Sequence, residues 1–366
     1  MITLQKILTY AVKHGASDIH LAVGGPPAVR VDGVIRVVQD AETLTPEHID
    51  TFLNELMSPE RKARFMERGD DDLAYSLPGV GRFRVNCLMQ RSTVGIVMRY
   101  VKSKILNFAE LHLPESLNRI TQMQRGLVLV TGTTGSGKST TLAAIIDKIN
   151  ELRRCHIVTV EDPIEYLYKN KKSIITQREV HIDTKDFYTA LRAVMREDPD
   201  VILIGEMRDA ETFQACISAA ETGHLVLSTL HTTNVMMTLD RILDMFPSTQ
   251  HQQVRSQLAL QLRACISQRL LPSVDGKGRI PTVEIMFNNP GIAQLIRENN
   301  VKQIPNAIAG GKEDGMQTFN MSLVDLVKKR LVTREEAELA SDNPDELKMN
   351  LQGIFLSQGR GAILKR

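Results

Sequence analysis

The sequence predicts an α/β protein in which a mostly parallel sheet carries a phosphate-binding loop, preceded by a small α+β domain and followed by a mostly helical part. Three observations point there. Gly132-Thr133-Thr134-Gly135-Ser136-Gly137-Lys138-Ser139 is a complete G-x-x-x-x-G-K-S pattern between an apolar run and a helical stretch. The apolar runs 127–130, 157–160, 201–204 and 225–230 do not alternate with polar residues, as expected of strands buried on both faces of a parallel sheet. The first hundred residues show hairpin and turn signals instead.

In that first part, Leu4, Ile7, Leu8, Ala11 and Val12 have helical spacing, and 18–23 reads as a strand. Gly24-Gly25-Pro26-Pro27 is a turn, and 28–31 and 34–38 flank the hairpin signal Asp32-Gly33. Thr45 caps a helix that Pro46 opens. Residues 81–88 and 93–100 read as paired strands, and the acidic run Asp70-Asp71-Asp72 as a solvated turn. Residues 101–115 lose periodicity, contain Pro114 and read as a linker between domains 1–100 and 116–366. After Pro247 the pattern is mostly helical apart from a strand at 282–287.

Composition narrows the function classes. At 366 residues the chain is long enough for two or three domains. Its 45 basic and 43 acidic side chains leave a formal charge of +2, which disfavours a nucleic-acid partner. Cys87, Cys155, Cys216 and Cys265 are scattered without a CxxC pair, which argues against a zinc module and for a reducing, cytoplasmic setting. The residues after Met1 are amphipathic rather than a signal peptide, and no apolar run approaches the about 20 residues that span a bilayer. Membrane association is therefore expected through a partner.

The phosphate loop carries the chemistry. Its glycines let backbone N–H groups wrap a phosphate, Lys138 would reach the β- and γ-phosphates, and the Ser139 hydroxyl would bind Mg²⁺. ATP and Mg²⁺ are the expected ligands, held by Thr133, Thr134, Gly135, Ser136, Gly137, Lys138, Ser139 and Thr140, with the following helix adding its positive N-terminal end. The run 201–204 leads through Gly205 to Glu206, a carboxylate placed to hold the metal or its water shell. Residues 158–166 place Glu161, Asp162 and Glu165 at the end of a strand expected to lie next to the phosphate-loop strand. Glu165 is the candidate base and Glu161 a support for the metal. His231 falls where the strand 225–230 emerges at the nucleotide side and is placed to sense the γ-phosphate, whereas His224 lies at the opposite end.

Ala16-Ser17-Asp18-Ile19-His20, the phosphate loop, the Glu161–Glu165 box, Gly205-Glu206-Met207-Arg208-Asp209 and His231-Thr232-Thr233 occur in that order. Together they resemble the secretion-ATPase superfamily, and within it the retraction motors of type IV pili. Met316-Gln317-Thr318-Phe319 and the helical stretch after it resemble the family's C-terminal segment. The resemblance implies a PAS-like N-terminal domain, a RecA-like ATPase domain, a homohexamer and a platform protein at the inner membrane. It implies that Arg82, Arg84 or Arg99 reaches a nucleotide shared with the ATPase domain. The similar pilus-assembly and type II secretion ATPases carry a long additional N-terminal domain and a tetracysteine site, which sets the expectation of retraction rather than extension, secretion or DNA transfer. In Gly291-Ile292-Ala293-Gln294-Leu295-Ile296-Arg297, Ala293 stands where the retraction subfamily has an arginine, while Arg297 matches.

Overall fold

The computed structural model describes residues 2–31, 33–39, 41–101 and 104–353. The chain is mixed α/β and divides into two compact units, Met1–Lys104 with Ile164–Leu167, and Ile105–Pro163 with Tyr168–Arg366.

The first unit runs α1 (Leu4–Lys13), β1 (Asp18–Ala22), β2 (Ala28–Val31), β3 (Val34–Val37), α2 (Pro46–Leu56), α3 (Pro59–Arg68), β4 (Asp70–Leu77), β5 (Gly81–Gln90) and β6 (Thr93–Val101). Its antiparallel sheet has the order β3-β2-β1-β6-β5-β4. Leu4, Leu8, Phe52, Phe65, Phe83 and Ile96 are fully buried together between helices and sheet. Asp70-Asp71-Asp72, expected as a turn, opens the edge strand β4. An edge tolerates charge, and here the carboxylates are partnered. Arg61 Nε donates to Asp71 at 2.6 Å, and Asn86 Nδ2, opposite Asp72 in the register, donates to Asp70 and Asp72.

The second unit continues with α4 (Asn118–Thr121), β7 (Gly126–Thr131), α5 (Lys138–Leu152), β8 (His156–Glu161), β9 (Ile174–Glu179), α6 (Phe187–Val194), β10 (Val201–Ile204), α7 (Ala210–Glu221), β11 (Leu225–Leu230) and α8 (Val235–Asp244). Then follow α9 (His251–Gln261), β12 (Leu262–Pro272), β13 (Arg279–Phe287), α10 (Pro290–Arg297), α11 (Ile304–Gly310), α12 (Phe319–Lys328), α13 (Arg334–Ala340) and α14 (Pro344–Leu351). Phe108 and Leu113 of the irregular stretch before α4 bury into this unit's main core. A smaller cluster built on Leu271, Leu323, Val332 and Leu347 packs the last helices. No helix among the described residues is long and apolar enough to cross a membrane.

The sheet order is β13-β12-β7-β11-β10-β8-β9, parallel except for β13. This order corrects two expectations. First, β8 does not lie beside the phosphate-loop strand β7. The chain crosses over from α5, and β10 and β11 later fill the gap, departing from the tendency of consecutive strands to be neighbours. Second, residues 262–272, read as helical, form β12, an inner strand between β7 and β13. Being covered on both faces, it shows no period-two alternation in its sequence.

Candidate functional site

The phosphate loop fills the gap between the end of β7 and the start of α5. Gly137 sits at φ 89°, a backbone angle that favours glycine, and a Cβ there would lie 2.7 Å from Gln268 Nε2. Gln268, buried on β12, clamps the loop from below. Its Nε2 donates to Ser136 O at 2.7 Å, and its Oε1 accepts from Thr141 Oγ1 at 2.7 Å. Arg279 Nη1 donates to Gly135 O at 3.3 Å. Lys138 is buried, its Nζ donating to Gly132 O at 2.8 Å and Thr133 O at 3.1 Å, and burial lowers its pKa. Thr133, Thr134, Gly135 and Ser139 are exposed, Thr140 is half-buried, and the buried Ser136 Oγ has no hydrogen-bond partner. An orphaned hydroxyl, a cation held on loop carbonyls and the N-terminus of the 15-residue α5, which has no capping side chain, fit an anionic phosphate group.

Glu206 follows β10 and faces His231, which follows β11. His231 Nε2 lies 3.0 Å from Glu206 Oε2, and His231 Nδ1 lies 3.5 Å from Thr134 Oγ1. A neutral ring protonated on Nε2 serves both contacts, donating to Glu206 and accepting from Thr134. Burial first, then the positive charges of Lys138 and Arg208, lowers the His231 pKa and favours that neutral form. Arg208 pairs with Glu206 and lies 3.9 Å from Asp162. Thr229 Oγ1 donates to Gly205 O, and Met207 N–H to Thr229 O, so the ends of β10 and β11 keep Glu206 and His231 opposite each other. Beneath them runs a buried hydroxyl chain, Thr232–Thr238–Thr131–Ser267, with steps of 2.7, 3.5 and 2.9 Å. Thus Thr134, His231 and Glu206 form a continuous polar path between loop and carboxylate.

Of the remaining candidates, Glu161 belongs to the second unit, and Glu165, Arg82, Arg84 and Arg99 belong to the first. Glu161, at the end of β8, is buried and accepts from Thr159 Oγ1 at 2.8 Å and Gln177 Nε2 at 3.3 Å. Glu165 belongs to the 164–167 segment grouped with the first unit, where its Oε1 pairs with Arg84 Nη2 at 3.1 Å. The same Arg84 nitrogen donates to Ile164 O. Arg84 and Arg99 are directly opposite each other across β5 and β6, with Arg82 two residues along, so the three share one sheet face. Arg99 Nε donates to Asp18 at 2.8 Å. Burial opposes ionisation of Asp18, but hydrogen bonds from Arg99 and Ser17 and the positive charges nearby outweigh it and lower the carboxyl pKa. His224 bonds to Ala219 O at the far end of β11.

Gln268, Arg279 and the hydroxyl chain were not legible in the sequence. The polar residues Ser267, Gln268 and Arg269 between Ala264-Cys265-Ile266 and Leu270-Leu271 are a local sign of them.

A family model described as type II/IV secretion system protein matches residues 1–350. The type IV pilus retractation ATPase PilT of Pseudomonas aeruginosa is 45% identical over 342 residues, which cover 93% of this chain and 99% of that protein. A twitching motility protein of Neisseria gonorrhoeae is 44% identical over 321 residues, covering 88% of this chain and 86% of its own length. A crystal structure of the pilus retraction motor PilT with bound ADP superposes with a TM-score of 0.88 at 46% identity, covering 95% of this chain and 99% of that one. A motif order, a sheet topology and a near full-length match therefore agree, and the chain belongs to the type II/IV secretion system protein family.

Proposed function

We propose that this chain is a motor ATPase that couples ATP hydrolysis to type IV pilus retraction. The observation that carries the reading is the path from the phosphate loop through Thr134 and His231 to Glu206, in a chain 45% identical to PilT. Bound Mg-ATP supplies the phosphoryl group and a cation that offsets its charge. Lys138 leaves its loop carbonyls to bind phosphate oxygens, and backbone N–H groups of residues 133–140 orient them. Ser139 and Glu206 would hold the metal, with Glu161 in support, and the metal would offset charge on the phosphates. Among the described residues no group of three or more His, Cys, Asp or Glu side chains could hold a metal ion, and a metal held by so few protein ligands would take its remaining oxygens from the nucleotide and water. His231, neutral, aligns Glu206 against Thr134 and responds to the presence of the terminal phosphate. Glu165 accepts the proton of the attacking water, and Arg82, Arg84 and Arg99 supply positive charge as it develops.

In this reading the first unit is the PAS-like domain and the second the RecA-like ATPase with its C-terminal helices. The chain works as a homohexamer in the cytoplasm, bound peripherally to the inner membrane through a platform protein, without nucleic acid. The test is a strain lacking this chain, scored for pilus number and twitching. Excess immobile pili are expected; bald cells would replace retraction by extension.

A further inference from the structure

The loop after β11 is held from two sides. On one, His231 meets Glu206 and Thr134. On the other, the β12–β13 pair presents Arg269 and Glu284 on a single face, because Glu284 lies opposite Ser267 and Arg269 opposite Thr282. Glu284, buried, accepts the Val235 N–H at 2.8 Å and so fixes the first residue of α8. Arg269 Nη2 reaches Thr233 O at 3.5 Å. Outward, Arg269 donates to Ala340 O at 2.5 Å and to both oxygens of Asp342 at 2.8 Å, and its guanidinium lies 4.0 Å above the Phe319 ring centroid. One planar group thus joins the His231 loop to the start of α12, the end of α13 and the connection to α14. Only arginine has a fork that can serve these directions and stack as well.

Room for movement adjoins this contact. A cavity of about 250 Å³ is lined in part by Asn234, Val235, Glu284, Phe319, Asn320 and Asp342. The outer partner, Asp342, is exposed, and an ion pair at such a place adds little to stability. A role as a mere staple explains the arrangement poorly. A loop tied to the phosphate site at one end and to a helical cluster at the other is an element whose position both sites can bias.

We propose that Arg269 is a positioning residue that transmits displacement of the 231–234 loop to α13 and α14, coupling nucleotide state to the placement of the C-terminal helices. This rests on the ATPase reading above. The chain contains no tryptophan, and Leu339 on α13 is 82% exposed, so Leu339→Trp installs a single reporter on the coupled helix in the full-length protein. Emission is recorded with ADP and with a non-hydrolysable ATP analogue. A difference between the two is expected in the Leu339→Trp protein. It should vanish when Asp342→Ala or Arg269→Lys is added, while nucleotide Kd changes by less than about threefold and kcat falls by about tenfold at nearly constant KM. Asp342→Ala alters an exposed side chain, so it keeps the test valid if an Arg269 variant folds poorly. A difference that persists in both backgrounds, or that is absent from the parent reporter, overturns the coupling. Failure of the parent to bind either nucleotide would instead overturn the ATPase reading, and this inference with it.

Discussion

Lys138 Nζ donates to the carbonyls of Gly132 and Thr133 in its own loop, so its removal is expected to leave the sheet and α5 intact. Lys138→Ala is expected to cut phosphate release below about a tenth of wild type, because the cation that balances the transferring phosphoryl group is lost. A coupled phosphate assay checks this, and turnover above that level would remove the loop from the active site. The two acidic candidates should separate. Glu165→Gln keeps Mg-ATP binding and loses hydrolysis, while Glu206→Gln slows turnover and also weakens its dependence on Mg²⁺, read from a metal titration. Glu284 gives a pH signature. Burial first, with the charge of Asp342, pushes its carboxyl up to about 7 against the Val235 N–H bond and Arg269. The folded chain therefore keeps a proton that the unfolded chain releases near 4.5, and stability falls as pH rises through the window between these values. Glu284→Gln should flatten that slope in thermal melts at pH 5 and pH 8. Lys138, Ser139, Glu206 and His231 were legible because each ends or follows a local motif. Gln268 was not, because it comes from a strand about 130 residues downstream of the loop it clamps.

Strand β12 reads as helical in the sequence for a physical reason. Buried on both faces between β7 and β13, it has no solvent side to impose alternation, and its apolar residues match helical spacing equally well. The place of β8, between β10 and β9, is likewise absent from its sequence, since nothing local records which later strands fill a crossover. By contrast, β7, β10, β11 and α5 were legible from apolar runs adjoining motifs. The clamp predicts an effect at the turn it supports. Gly137→Ala would set a Cβ 2.7 Å from Gln268 Nε2 at a backbone angle that alanine rarely adopts. Loss of nucleotide binding by at least about tenfold is expected in a calorimetric titration, with the fold retained by circular dichroism, since the strain of about 1–3 kcal/mol is local. Unchanged affinity would show that Gln268 can swing away.

At the scale of the molecule, one sheet face of the first unit carries Arg82, Arg84 and Arg99. Arg84 there pairs with Glu165 and Arg99 with Asp18. If Arg82 and Arg84 act on a nucleotide bound by a neighbouring copy, the Arg82/Arg84 double alanine variant and Lys138→Ala should each be slow alone. Mixed in one ring, they create some interfaces with both parts intact, and a measurable fraction of turnover should return. No recovery despite verified subunit exchange would rule out action between copies. Arginines used this way are worth about 10³ or more in rate, so partial recovery is well within reach of an assay.

The order of the second sheet also has a consequence for biosynthesis. The loop 132–139 leaves the ribosome long before its clamp: Thr131 meets Ser267 across 136 residues, and Ser136 meets Gln268 across 132. Closing so long a stretch of chain is slow compared with forming the α5 helix. A nascent chain that already displays the whole motif therefore lacks a ligand-ready loop until β12 emerges and inserts beside β7. Nucleotide binding during synthesis is therefore expected only once β12 is in place.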